Sequence, residues 1–346
     1  MKFPNQIFSG YHGHGHCQGI AVDEENGYIY YSFTTKLIKS DLQGNIIGSV
    51  DGLIGHLGCI DFCRRDRRVY GSLEYKNDSI GKGILKRLQM SDTEINNAFY
   101  CVIFDVDKID RIGMNAETDG VMRAVYLPEV VEDYEASVTV DGTTLSHKYG
   151  CSGIDGLDFG PMWGKTEGPE QLRICYGVYG TPDRSDNDYQ VIMTFDADDW
   201  WDTVARPLKQ GQMHMSGARS LSRCFLHTGS TNWGIQNFEY DSHTQRWIIA
   251  VYRGKKAHLP NYDMFFISAD ATPFPSVHEA YGEEILELPL SGEGIYFPYG
   301  TTGVYAFGDG RYYFSQRGKH EELGQYTNVV LYRATDDANA PFLMEE

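Results

Sequence analysis

Short apolar runs bounded by Gly, Asn and Asp recur along the whole chain, and five of them carry an early glycine. They are HCQGIAV (16–22), HLGCIDF (56–62), CSGIDGLDF (151–159), NWGIQNFEY (232–240) and TTGVYAF (301–307). A turn follows each, and then a second apolar run: YIYYSF, RVYGSLEY, LRICYGVY, RWIIAVY and RYYFSQR. Runs of this length, rich in aromatic and β-branched residues and separated by turn residues, predict strands. Their repetition predicts a repeat architecture before any single residue is interpreted.

Two further strands are expected after each pair: 36–42 and 45–50, then 98–106 and 121–127, then 189–196 and a weaker segment at 203–208, then 263–267 and 284–290. The fifth unit has a third strand at 328–333 and no fourth; residues 5–9 have no partner of their own and can supply it. Such an exchange pairs edges that would otherwise be open. The pattern therefore predicts an all-β, five-bladed β-propeller spanning 1–346 as a single domain. The blades fall at 11–50, 51–130, 145–208, 228–290 and 296–335, the last closed by 5–9. Long insertions interrupt it at 76–97, 129–149 and 209–233, lengths that mark functional or disordered loops. The best helical candidate, 198–208, is short and ended by Pro207.

Composition narrows the partners. With 48 acidic against 30 basic side chains, the formal charge is −18. That excludes nucleic acid, which needs a basic footprint, and accounts for solubility. No run of about 18 apolar residues exists to span a membrane. The opening MKFPNQIFSG lacks the apolar core of a signal peptide, so a cytoplasmic location is expected. The seven cysteines are scattered, without a CxxC pair, as small hydrophobes in a reducing compartment would be.

The predicted fold selects candidate residues by geometry. In a propeller the first strand of each blade lines the channel, and the loop before it and the end of the second strand share one rim. The loops bring His12, His14, His16, His56, His147 and His227, whereas blade five offers Glu293 and Tyr296. Neutral imidazoles converging from separate blades make a transition-metal site; the alternative is a solvated HxHxH loop. One divalent ion, a transition metal rather than calcium, is expected on a set drawn from His14, His16, His56, His147 and His227. The strand ends bring Lys36, Lys76, Arg253 and Arg317, with Tyr179 closing blade three. Cations at four of five equivalent positions in so acidic a chain suggest an anionic ligand; solubility is the competing explanation. Glu74 is the carboxylate among these strand ends and, with His16 and His56, makes the expected catalytic set. Gln18, Lys76, Tyr179, Asn232, Trp233, Arg253 and Arg317 are the expected ligand-binding residues, with Tyr305 adding stacking capacity. Asp61 and Asp155, on inner strands, read more readily as acceptors for backbone N–H groups. The acidic loop TPDRSDNDYQ (181–190) permits calcium, although its spacing is not that of an EF-hand and ordinary turns use the same residues.

GxSxG, Walker, GxGxxG-helix and HExxH signatures are missing, which disfavours serine hydrolase, nucleotide-triphosphatase and dinucleotide chemistry. The glycine-led strand repeat resembles β-propeller proteins, and the count of five resembles the group that includes glycosidases, calcium-activated nucleotidases and a lectin. That resemblance covers the whole chain and implies the fold; it carries over no catalytic residue. The expected function is a hydrolase or lyase acting on a small anionic or carbohydrate-like substrate at the histidine-bearing rim. The alternatives are a non-catalytic sugar-binding propeller and a protein-interaction scaffold.

Overall fold

Side chains alternate between the two faces of a strand, and here both faces are apolar. In the strand Glu170–Val178, Leu172, Ile174 and Tyr176 pack with Cys59, Tyr70 and Phe99 of the preceding unit. Cys175, on the other face, packs with Ile235, Trp247 and Ile249 of the following unit. The strand Arg246–Arg253 repeats the arrangement: Trp247, Ile249 and Val251 face backward, while Ile248 and Ala250 face forward onto Val304, Tyr312 and Phe314. A sheet buried on both faces must stand between two neighbours, and five such sheets close into a ring. The apolar core is accordingly divided among the blade–blade interfaces. Each fully buried Val, Leu, Ile or Phe contributes about 1.5–3 kcal/mol there.

The computed structural model describes residues 2–13 and 15–345 and is a five-bladed β-propeller. The inner strands are Cys17–Asp23, His56–Cys63, Cys151–Pro161, Thr231–Asp241 and Val304–Ala306. Each pairs antiparallel with the second strand of its blade, and each second strand pairs with a third. Blade five is closed by the N-terminal strand Gln6–Phe8, with Ile7 opposite Val329. The C-terminal strand Phe342–Met344 pairs further along the same partner.

Two outer strands differ from expectation. The fourth strand of blade three is Ser222–His227, paired with Tyr189–Phe195, not 203–208. Pro207 lacks a donor for a continuous ladder, and Arg206 instead bridges Ala124 on the outer edge of blade two. Residues 284–290 likewise do not complete blade four. Glu284–Glu287 pairs with Phe274–Val277 and runs parallel to Ser222–His227, so this hairpin caps blade three. The vacated place on blade four is taken by Ile295, which bridges Met264. The insertions also hold two helices that short-range periodicity did not suggest. These are α1 (Ser79–Arg87), capped by Asp78 accepting from Ile80 N and Gly81 N, and α2 (Pro128–Glu135), which starts on proline. No helix among the described residues is long and apolar enough to cross a membrane.

The closure generates a test. Ile7 is buried, whereas Gln6 is exposed. Ile7→Ala should lower unfolding stability in urea by about 2–5 kcal/mol, and Gln6→Ala should stay within about 0.5 kcal/mol of the parent. Equal, small effects would contradict closure by this strand.

Candidate functional site

Where the loops before the inner strands meet the ends of the second strands, they enclose a funnel of about 930 Å³. Every blade contributes: Gln18 and Thr34 from blade one, His56, Glu74 and Lys76 from blade two, and Ser152 and Asp155 from blade three. Asn232, Trp233, Gln236 and Tyr252 come from blade four and Arg317 from blade five. His16 lies in the loop before blade one, and Arg87 at the end of α1 lines the mouth.

Two of the repeat's glycines leave room for the floor of the funnel. A Cβ on Gly153, which has φ +121°, would overlap Glu74 Oε2, and one on Gly58 would lie 2.6 Å from Asp155 Oδ1. Glu74 can therefore reach into the backbone of blade three, where Oε2 accepts from Ile154 N at 3.2 Å. Its Oε1 pairs with Lys76 Nζ at 2.6 Å. Lys76, itself buried, donates also to Ser152 O at 2.8 Å. His56 stands opposite Glu74 in the strand register. Its Nδ1 is 3.4 Å from Glu74 Oε1 and 3.9 Å from Asp155 Oδ1, the geometry of an ion pair rather than a linear hydrogen bond. Asp155 Oδ2 accepts from Gln236 Nε2 at 3.0 Å, and the same nitrogen reaches Trp233 O at 3.0 Å.

The electrostatics follow from this enclosure. Burial, reinforced by the Glu74 charge and moderated by His56 and Lys76, pushes the Asp155 carboxyl up to about 7. Burial alone would lower His56, but its contact with Glu74 and the charge of Asp155 outweigh that and leave it above its ordinary value. Lys76 is raised by Glu74 and Asp78 against the opposing effect of burial. His16 behaves oppositely: burial, with Arg317, His56 and Arg87 nearby, brings it down to about 4. It is a neutral imidazole at neutral pH. The floor thus holds a carboxyl group raised to about 7, Asp155, beside an imidazole raised above its ordinary value, His56.

Trp233 sits in the left-handed region at φ +72°, followed by Gly234 at +71°. The pair creates the register shift between Asn232 and Ile235. A tryptophan held in a disfavoured conformation at a cavity wall is locally strained. Tyr179 does not line the funnel. Its ring packs behind Trp233 at 5.6 Å, and its hydroxyl donates to Asp78 at 3.0 Å.

Eight of the expected residues thus come together: His16, Gln18, His56, Glu74, Lys76, Asn232, Trp233 and Arg317. Arg253 lies outside, held by Asp263 through two contacts of 2.6 Å and lying over Tyr296. His147 is turned away, its Nδ1 on Tyr134 O at 2.5 Å and its ring against Tyr179. His227 ends the fourth strand of blade three, against Tyr189, so it belongs to the periphery rather than to the loop of blade four. His12 is buried with Nε2 2.8 Å from Ser9 O. His14 lies outside the described residues.

The five-histidine metal set is therefore not assembled. No group of three or more His, Cys, Asp or Glu side chains among the described residues is arranged to hold a metal ion. At the floor the Lys76 ammonium already supplies the positive charge beside Glu74. In the 181–190 loop, Asp186 is taken by Arg184 at 2.6 Å and by the Tyr281 hydroxyl at 2.5 Å, which leaves little of it for calcium.

Asp155, Gln236, Tyr252 and Arg87 were not among the expected site residues. One signal was present: Asp155 and Gln236 each stand two residues after their glycine, in GID and GIQ. Arg87 had none, because it depends on where an insertion folds.

No protein-family model matches the chain, and no curated protein matches it in sequence. Solved structures with a similar fold include the exo-1,5-α-L-arabinanase from a bovine ruminal metagenomic library, 11% identical with 100% of each chain covered and a TM-score of 0.39. A glucose dehydrogenase is 11% identical over 94% of this chain and 99% of its own, with a TM-score of 0.38. The Dos1 propeller is 10% identical over 97% and 72%, with a TM-score of 0.39.

Two outcomes are expected from the floor. Asp155 takes its proton near pH 7 when folded and near its ordinary 3.8 when unfolded, so between those values the folded state binds the extra proton. Its contribution to stability is complete below about 4 and is lost as pH rises through about 7. The difference in unfolding free energy between the parent and Asp155→Asn should shrink across that window; a difference independent of pH would contradict the assignment. Lys76→Met, which strands a buried Glu74, should cost about 3–5 kcal/mol in urea unfolding. Glu74→Gln combined with Lys76→Met should recover most of that loss, whereas simple additivity would show the pair uncoupled.

Proposed function

We propose that the protein is an enzyme, a hydrolase or lyase, that moves protons on a small anionic or carbohydrate-like substrate held in the funnel. The observation that carries this reading is the enclosure of Asp155 and His56 together at the funnel floor, beside the Glu74–Lys76 pair. A general acid or base works best when its pKa lies near the working pH. Burial, with Glu74 beside it, brings Asp155 to about 7, and the Glu74 and Asp155 carboxyl groups raise His56 above its ordinary value against the effect of burial. One of them takes a proton from water or from a carbon-bound position while the other returns one to the leaving oxygen. Lys76 is committed to Glu74 and Ser152 O; its role in this reading is to keep the floor charge-balanced rather than to grip the substrate. Trp233 and Tyr252 offer ring faces, and Gln18, Asn232 and Gln236 offer hydrogen bonds. The proton relay requires no metal ion.

A binding module without chemistry is the second reading. It is favoured by the fact that Glu74 and Asp155 already have internal partners, as a purely structural network would. Turnover separates the two. The probes are 4-nitrophenyl glycosides and glycosiduronates, followed by nitrophenolate release, and polyuronates, followed by the ultraviolet absorbance of unsaturated products. Asp155→Asn and His56→Gln should each lower kcat by about 100-fold or more while circular dichroism stays native. Unchanged rates in both variants, or no turnover of any probe by the parent, would favour the binding module.

A further inference from the structure

Six arginines have no carboxylate partner among the described residues: Arg123, Arg173 and Arg206 donate to backbone carbonyls and Arg246 lies over the Phe266 ring, whereas Arg87 and Arg317 line the funnel. Elsewhere Arg64, Arg184, Arg223, Arg253 and Arg311 are each matched to a carboxylate within 2.7 Å. Among the described residues Arg87, Arg317 and Lys319, which all line the funnel, have no such ion pair. Arg317 touches only neutral groups, with Nη1 3.4 Å from the Tyr252 hydroxyl and its guanidinium 5.7 Å from that ring. In an acidic protein, exposed guanidinium groups left unmatched around a cavity are poised for an anion from outside.

We infer that the ligand of this funnel is a sugar acid with a single carboxylate, gripped by Arg317 and Arg87 while its hydroxylated ring lies against Trp233 and Tyr252. The inference deepens the functional reading above and rests on the funnel being the ligand site.

Charge balance selects the carboxylate. The lining carries Lys76, Arg87, Arg317 and Lys319 against Glu74, Asp155, Glu321 and Glu322. A phosphate dianion would face Glu321 and Glu322 without a net positive field, whereas a monoanion needs only the planar fork of a guanidinium, which matches a carboxylate bidentately. His16 lines the same funnel as both guanidinium groups, and burial, with their charges, keeps its imidazole below its ordinary value. That imidazole, neutral at neutral pH, can accept or donate a hydrogen bond without adding charge. Side-chain amides of Asn232 and Gln236 beside two aromatic rings provide the stacking surface and hydrogen bonds that a polyhydroxylated ring uses.

Calorimetric titration with D-glucuronate and D-galacturonate, with D-glucose and D-glucose 6-phosphate as controls, tests this directly. The uronates should bind the parent at least 10-fold more tightly than either control. Arg317→Gln should weaken uronate binding at least 10-fold, and Arg317→Lys should restore it only in part. The inference is overturned if glucose or the phosphate ester binds as tightly as the uronates, if neither uronate binds, or if Arg317→Gln binds like the parent. Uronate binding without turnover of any glycosiduronate would sustain this inference and overturn the enzyme reading. Turnover of neutral glycosides without uronate binding would do the reverse.

Discussion

The structure depends on how closely five inner strands approach one another at the axis. A Cβ on Gly19 would lie 2.8 Å from Ile60 N, one on Gly156 2.7 Å from Ile235, and one on Gly303 3.0 Å from Ile20. A side chain at any of these points would push neighbouring blades apart. The approach also fills the channel: Asn237 Nδ2 donates to Gln18 O at 2.9 Å, and Cys59 Sγ lies 3.3 Å from Asn237 Oδ1. With its middle occupied, the axis can hold a ligand only at an end, in the funnel that the loops build.

The same tightness explains the buried carboxyl groups. Farther along the inner strands, Asp61, Asp158 and Glu239 each accept a backbone N–H from the next blade: Phe159 at 3.2 Å, Tyr240 at 2.5 Å and Ala306 at 2.6 Å. Burial, with Asp61 alongside, holds Asp158 and Glu239 well above the usual carboxylate range. These two serve as neutral latches between blades. At the funnel the carboxyl groups differ in company: Lys76 and His56 stand beside Glu74 and Asp155. One structural device, a carboxyl reaching across to the neighbouring blade, thus serves as a latch farther along the strands and stands beside Lys76 and His56 at the funnel.

The blade count and the N-terminal closure were legible because the inner and second strands are apolar on both faces and repeat a glycine. The outer strands of blades three and four were not. At the rim of the ring a strand packs on fewer neighbours, and 203–208 and 284–290 were free to join edges of other blades. The site was legible to the extent that it follows from the repeat, which put His56, Glu74 and Trp233 on one mouth. His147 and His227 failed the same rule because 129–149 folds into its own helix and hairpin and because His227 closes an outer strand. Asp155 read as structural because nothing local announces that Gly58 and Gly153 together open a space for two carboxyl groups.

The central claim is that the Asp155 carboxyl at the funnel floor, beside His56, titrates near neutrality. Carbon-13 shifts of side-chain carboxyl groups, followed against pH in labelled protein, test it most directly, with the Asp155 signal identified by its loss in Asp155→Asn. The account predicts that this carboxyl titrates at about 7 and that its transition moves when His56 is replaced by Gln. An Asp155 carboxyl that titrates at an ordinary value of about 4, indifferent to His56, would contradict it.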